Sequence, residues 1–153
     1  MTEPTANETT TPPGAAVALL MQFYQAYQSG DLDRIRNEIL APDVVWTIGG
    51  RHPMSGPKRG ADEIMAYFDQ MSRTNVTAEV LYMSGDDHQV VDVHRGWGDA
   101  NGVAMDMLFV LYAQIENGRI TTVNAFGSDQ SACDTFFWAA FELAPIPDRL
   151  KKS

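Results

Sequence analysis

The chain of 153 residues lacks several features that common protein classes require. It has one cysteine, Cys133, so an internal disulfide framework is excluded and a cytoplasmic location is expected. Acidic residues outnumber basic residues 20 to 11, and the basic residues are scattered. A protein that binds phosphates of nucleic acid normally has a basic patch, so neither nucleic acid nor an anionic membrane is an expected partner. No apolar run approaches the length of a membrane span.

Cofactor motifs are lacking as well. There is no phosphate loop or nucleotide fingerprint, and the three histidines and one cysteine show no ligand spacing, so neither a cofactor nor a metal is expected. Residues 1–13, rich in Thr, Pro and Glu, have neither the positive nor the apolar segment of a signal peptide and are predicted to be a disordered tail. A second tail is predicted over residues 145–153, which leaves one domain over residues 14–144.

Two Asn-Gly dipeptides, Asn101-Gly102 and Asn117-Gly118, are the most informative feature that is present. Each lies between runs of apolar and β-branched residues. Asn-Gly tolerates positive φ at both central positions of a two-residue hairpin turn. Together the dipeptides predict three successive antiparallel strands, and such turns also fix which side chains share a face of the sheet.

With two-residue turns, one face of these strands is mostly apolar but contains an Asp, a His and an Asn. It consists of two cross-strand rows and two further methionines: Asp92–Leu111–Asn124, His94–Phe109–Phe126, Met105 and Met107. The opposite face is also apolar: Val91, Val93, Leu108, Val110, Tyr112 and Val123. A sheet with two apolar faces must cover both. We therefore expect the chain's own helices on one face and a second copy of the chain on the other, which predicts a homodimer.

The remaining pattern predicts an α+β fold. Apolar residues at helical spacing indicate helices over residues 15–29, 32–40 and 61–72, with Gly30 ending the first and Asp31 capping the second. Strands are predicted over 44–48 and 76–83, a loop over 51–60, and a closing helix or irregular segment over 129–142. The order predicts a cone-shaped α+β barrel, in which a curved antiparallel sheet wraps around three N-terminal helices and encloses an apolar pocket.

Asp92 and His94 are the candidate catalytic pair, because residues two apart on a strand point to the same face. A carboxylate beside an imidazole can orient it, raise its pKa and make it a better general base. Asn124 could then donate to a developing enolate oxygen. The alternative is a half-buried pair that only satisfies its own hydrogen bonds.

Other residues are predicted to contact a hydrophobic small-molecule ligand: Tyr24, Trp46, Ile48, Phe68, Met105, Met107, Phe109, Leu111 and Phe126. Tyr24 could also donate a hydrogen bond to a ligand carbonyl. His52 lies in the Gly/Pro-rich loop, where a solvated histidine is the favoured interpretation and a gate residue is the alternative. Cys133 is expected to be a small core residue.

Four segments of the chain resemble the nuclear transport factor 2-like superfamily: FYQAYQSGDLDRI, LAPDVVWTIGG, HPMSGPKRGADEIMAYF and ENGRITTVNAF. Within it the chain is similar to the SnoaL-like polyketide cyclases and the ketosteroid isomerase-like proteins, over residues 15–142. The resemblance implies the cone-shaped fold and a role in natural product biosynthesis. This superfold hosts isomerases, cyclases, epoxide hydrolases, dehydratases and non-catalytic modules.

The catalytic positions of these relatives are only partly matched. The tyrosine, carboxylate base and protonated acid of ketosteroid isomerases fall near Phe23, Ile48 and Leu111, which are all apolar. An Arg-Asp pair of the limonene epoxide hydrolase kind is not evident. Asp129 lies near an acidic residue that SnoaL-like cyclases use as acid or base, and the alternative for it is an N-cap of the closing helix.

These observations predict a cofactor-independent acid–base enzyme, a cyclase or isomerase, that acts on a hydrophobic, oxygenated, polyketide-like molecule. One alternative is a non-catalytic ligand-binding or assembly module of the same fold. Another is an epoxide-opening cyclase or hydrolase, in which Asp92 and His94 would activate a hydroxyl or a water.

Overall fold

A computed structural model describes residues 14–141 of the chain, and both predicted tails lie outside the described residues. Within this range the elements are, in order, α1 (Ala15–Ser29), α2 (Leu32–Arg34) with a π-helical turn (Ile35–Ile39), β1 (Leu40–Ile48), β2 (Gly56–Arg59), α3 (Gly60–Ser72), β3 (Thr77–Gly85), β4 (Gln89–Ala100), β5 (Val103–Glu116), β6 (Arg119–Gly127) and α4 (Gln130–Ala140). None of the helices in the described part is both long enough and apolar enough to cross a membrane.

The predicted α+β class is confirmed, and the six strands form one curved sheet in the order β2-β1-β6-β5-β4-β3. The sheet is mixed rather than wholly antiparallel, because β1 pairs in parallel with β6. No hairpin links these two strands, so no turn sets their relative direction. The predicted loop over 51–60 also contains the short edge strand β2, which pairs with β1 from Ile48–Gly56 to Val45–Arg59.

The first helix ends and the second begins where the sequence signals predicted, but the second is shorter than predicted. The first helix has its predicted bounds, and Gly30 ends it in the left-handed conformation at φ 75°. The Asp31 side chain caps α2 by accepting a hydrogen bond from the backbone N–H of Arg34 at 3.2 Å. The predicted helix over 32–40 is shorter and widens into a π-helical turn, after which Leu40 already begins β1.

The first Asn-Gly hairpin is confirmed along its whole length. Asn101 and Gly102 both have positive φ, at 51° and 82°. The register continues without a break from the turn to the far end of β4. His94 therefore lies opposite Phe109, and Asp92 lies opposite Leu111, as predicted.

The second hairpin has the predicted turn, but its predicted register is wrong beyond that turn. Ile115 pairs with Ile120, whereas the next residue of β5, Gln114, pairs with Thr122, so one residue of β6 is bulged. Every later residue of β6 is shifted by one position. Asn124 consequently lies opposite Tyr112 and is exposed, and Phe126 lies opposite Val110 and is 49% exposed.

The bulge has a physical reason in the side chains of β6. Ile120 and Val123 are both completely buried, although three residues apart they would lie on opposite faces of an uninterrupted strand. The bulge turns both toward the core and turns Asn124 toward solvent. Without it an unpaired amide would be buried, which costs about 1–3 kcal/mol by mutational measures. Val123, which the sequence placed on the outer face, is therefore a core residue.

Two clusters of buried side chains fill the concave side of the sheet. The larger cluster packs α1, the π-helical turn and α3 against β1, β4, β5 and β6. The smaller cluster packs α4 against the other end of the sheet, around Met54, Met105, Met107 and Phe136. The cavity described below is lined by residues of both clusters.

The bulged register predicts which of two neighbouring residues contributes more to stability, and an uninterrupted strand would predict the opposite order. We expect Val123→Ala to lower the free energy of unfolding by about 2 kcal/mol, because it leaves a void in the core. Asn124→Ala should change it by less than about 0.5 kcal/mol, because Asn124 is exposed. Urea unfolding of both variants checks this, and a larger loss for Asn124→Ala would contradict the observed register.

Candidate active site

An apolar cavity of about 170 Å³ lies on the concave side of the sheet. The predicted contact residues that line it are Tyr24, Trp46, Ile48, Phe68, Met105, Phe109, Leu111 and Phe126. Phe126 lines the cavity although its strand position faces outward and about half of its surface is exposed. Met107 does not line the cavity but is buried in the smaller cluster.

A chain of short hydrogen bonds joins α1 to β4 beside this cavity. The Tyr24 hydroxyl donates to Asp92 Oδ2 at 2.5 Å, and His94 Nδ1 donates to Asp92 Oδ1 at 2.6 Å. A carboxylate only accepts, so in the neutral imidazole this bond places the proton on Nδ1 and the lone pair on Nε2. His94 lines the cavity, whereas Asp92 is completely buried behind it.

Tyr24 serves as a fixed donor in this chain. Burial, followed by the charge of Asp92 and the hydrogen bond to it, raises the pKa of Tyr24 well above its usual range. The hydroxyl therefore stays protonated and keeps donating to the carboxylate. From the sequence this hydroxyl could donate to a ligand carbonyl, but in the structure it donates to Asp92.

Aromatic packing fixes the imidazole from another side. The ring of Phe109 is stacked on that of His94, with centroids 5.6 Å apart and planes 13° apart. A glycine at position 96 makes room for Phe109, because a Cβ there would come within 2.7 Å of its ring. The carboxylate and the phenyl ring thus hold the imidazole in one orientation at the cavity wall.

Two predicted catalytic residues lie away from the cavity. The bulge in β6 turns Asn124 to the exposed face, so its amide cannot donate to an oxygen inside the cavity. Asp129 is exposed, and its Oδ1 accepts from the backbone N–H of Ala132 at 3.0 Å, which makes it the N-cap of α4. The N-cap alternative describes Asp129, because the helix begins at the next residue.

His52 is a cavity residue that sequence reasoning missed. It is 6% exposed rather than solvated, and its ring is stacked on Phe137 of α4 at 4.7 Å. Trp138 anchors the same loop by donating from Nε1 to the carbonyl of Arg51 at 2.8 Å. The aromatic residues of the closing segment indicated that this segment packs on another part of the chain. The sequence did not show that the loop containing His52 is the part that it covers.

The remaining candidates for reactivity are the thiol of Cys133 and possible metal ligands. Cys133 is buried in the smaller cluster, as expected, and burial raises its pKa to about 11, so the thiol stays protonated at neutral pH. Across residues 14–141 no group of three or more His, Cys, Asp or Glu side chains is placed to hold a metal ion.

The hydrogen-bonded chain predicts different outcomes for two tyrosines on one helix. Tyr24→Phe should lower the free energy of unfolding by about 1–3 kcal/mol, because it removes a partner of a buried carboxylate. Tyr27→Phe is the matched control and should cost less than about 0.5 kcal/mol, since Tyr27 is 38% exposed. Thermal or urea unfolding measures both, and equal losses would contradict the role of Tyr24.

Comparisons with known proteins agree with this fold and locate the family. The sequence model of the SnoaL-like domain family matches residues 20–123. An uncharacterized protein from Mycobacterium tuberculosis is 29% identical over 130 residues, which are 82% of this chain and 97% of the relative.

Two solved structures are similar in fold. A nuclear transport factor 2-like protein from Burkholderia xenovorans superposes with a TM-score of 0.70 at 18% identity, over 80% of this chain and 95% of its own. TerC, co-crystallized with polyporic acid, gives a TM-score of 0.69 at 15% identity, over 81% and 98%. Because the family model covers more than half of the sequence, the chain belongs to the SnoaL-like domain family.

Proposed function

We propose that this protein is a cofactor-independent acid–base enzyme, a cyclase or isomerase, in which His94 is the general base. The observation that carries this proposal is an imidazole at the wall of an apolar cavity, with Nδ1 bonded to a completely buried carboxylate. The substrate is a hydrophobic, oxygenated molecule of the polyketide type. The family and the apolar lining support that substrate class.

The mechanism follows from the protonation pattern. Nε2 of His94 takes a proton from a carbon next to a substrate carbonyl; the electron pair of that C–H bond forms the C=C bond of an enolate, and the π pair of the carbonyl moves onto its oxygen. Asp92 stabilises the resulting imidazolium, and the low polarity of the cavity strengthens this attraction. The same nitrogen then returns the proton to the product. Tyr24 is a positioning residue, because it contacts Asp92 and holds the carboxylate in place.

Three further aspects stay predictions. Natural product biosynthesis is the setting that the family suggests, and TerC, which shares the fold, was co-crystallized with polyporic acid. The cytoplasmic location expected from the single cysteine and the boundary of the domain at residue 144 also stay predictions.

A non-catalytic ligand-binding module is the second candidate. It is favoured by the lack of polar groups at the three positions where ketosteroid isomerases carry their catalytic residues. Here those positions are Phe23, Ile48 and Leu111, and all three line the cavity as apolar wall. In this function the cavity would hold its ligand by burial alone, and the bonds of Asp92 would only satisfy buried polar groups.

Proton exchange discriminates between the two candidates. We expect the wild-type protein to speed hydrogen–deuterium exchange next to the carbonyl of bicyclic aryl ketones in D₂O, measured by NMR. His94→Ala should lose on the order of 10²–10⁴-fold, the usual contribution of a positioned base. Asp92→Asn should lose less, because the imidazole remains. His88→Ala, in an exposed turn, is the matched control and should exchange like the wild type.

The outcomes separate clearly. Equal exchange by wild type and His94→Ala would exclude His94 as the base. Ketone binding without any exchange above buffer would support the binding module instead.

We also propose a homodimer through the outer face of the sheet. The shifted register of β6 places Phe126 opposite Val110, which completes a cross-strand row of four residues on this face: Tyr82, Val93, Val110 and Phe126. Leu108 is 44% exposed on the same face. An apolar patch that crosses four strands marks an interaction site in soluble proteins. Self-association would cover it with an identical patch related by two-fold symmetry.

Charge placed in the patch should prevent this association. We expect the wild-type protein to be a dimer at micromolar concentration and Leu108→Glu to be a monomer, because a buried unpaired carboxylate opposes association. Leu32→Glu is the matched control, since Leu32 is 38% exposed but lies on α2. Sedimentation or light scattering measures both, and a wild-type monomer would refute the dimer.

A further inference from the structure

Two buried N–H groups beside the cavity have no acceptor among the described residues. They are Nε1 of Trp46 and Nε2 of His52. Trp46 is 3% exposed and His52 is 6% exposed, and both residues line the cavity. Most buried polar atoms in folded proteins have a hydrogen-bond partner, and leaving one unpaired is costly. Two unpaired nitrogens in residues that line one cavity therefore need an explanation.

The proton of His52 is assigned by its neighbour. The backbone N–H of Met54 donates to Nδ1 of His52 at 3.1 Å, so Nδ1 carries the lone pair. Burial lowers the pKa of His52, which keeps the ring neutral; the charge of Lys58 acts in the same direction, and Asp134 and the backbone of Gly49 act against it. A neutral ring with a lone pair on Nδ1 carries its hydrogen on Nε2, so Nε2 is a donor like the indole N–H.

Carbonyl groups in the loop around His52 are already used by other donors. The carbonyl of Gly49 accepts from Ser55 Oγ at 3.2 Å. The carbonyls of Met54 and Gly56 both accept from Lys58 Nζ, the latter at 3.0 Å. Each of these oxygens can accept two bonds, but none of them is hydrogen-bonded to Nε2 in the structure.

The surroundings of Trp46 are apolar. Its ring lies 5.4 Å from that of Phe23, 5.4 Å from that of Phe68 and 6.4 Å from that of Tyr67, measured between centroids. Trp46 lies on β1, and Lys58, its partner in the ladder, donates to the loop rather than accepting. These neighbours hold the indole in place, and its N–H has no acceptor among the described residues.

We infer that Trp46 and His52 are ligand-binding residues that donate hydrogen bonds to acceptor oxygens of the molecule in the cavity. The site should therefore bind carbonyl compounds, such as aryl ketones and quinones, more tightly than hydrocarbons of the same shape. The inference rests on the proposed function only in placing the ligand in the same cavity. If the acceptor is the carbonyl next to the C–H bond, the two donors also stabilise the oxygen on which charge develops.

A matched pair of probes tests the inference: the bicyclic ketone 1-tetralone and its hydrocarbon analogue tetralin. Binding is measured by titration calorimetry on the full chain carrying His94→Ala, so the result does not depend on catalysis. We expect the ketone to bind about tenfold more tightly for two restored hydrogen bonds. Trp46→Phe and His52→Phe should each reduce this preference by about threefold, while Trp97→Phe, a tryptophan outside the cavity lining, should retain it.

A second measurement does not depend on how the variants fold. In the ¹H–¹⁵N spectrum of the otherwise unmodified chain, the indole N–H signal of Trp46 should move downfield with 1-tetralone and remain nearly unchanged with tetralin. Equal affinities for the two probes, an unmoved Trp46 signal at saturating ketone, or no binding of either probe at about millimolar concentration would each overturn the inference. A retained ketone preference without proton exchange would instead leave it standing and refute the acid–base function.

Discussion

The buried carboxylate of Asp92 is the group on which the arrangement of the site depends. A charge removed from water is strongly unfavourable unless donors surround it. Here one donor is Tyr24 of α1, and the other is His94, two residues further along the same strand. Asp92 can therefore be buried only when α1 is packed against the sheet. The bond that orients His94 is thus also a tertiary contact, and the geometry of the candidate base is maintained by the stability of the fold.

The two halves of the concave side have different tasks. The larger cluster, with α1 and α3, supplies the aromatic wall and the tyrosine that holds Asp92. The smaller cluster, with α4, covers the loop that follows β1 and buries His52 against Phe137. Residues of both clusters line the cavity, so its few polar groups are surrounded by apolar atoms. In such surroundings a hydrogen bond is electrostatically stronger than in water.

The bulge in β6 connects the interior of the protein to its outer surface. By turning Ile120 and Val123 inward together, it moves Asn124 and Phe126 to the outer face. The amide that would have completed a polar row in the cavity is lost from the site, and an aromatic residue is added to the exposed apolar row. One extra residue in a strand therefore changes the chemistry of the cavity and the character of the surface proposed for self-association.

Local signals in the sequence determined the helices, the turns and the first hairpin. Asn101-Gly102 fixes an unbroken register, and that register alone brought Asp92, His94 and Phe109 to one face. Three features were decided only by the tertiary structure: the parallel pairing of β1 with β6, the bond from Tyr24 to Asp92, and the burial of His52 under α4. Each joins segments far apart in the chain, and their pairing depends on which apolar surfaces pack together rather than on the propensity of any one segment.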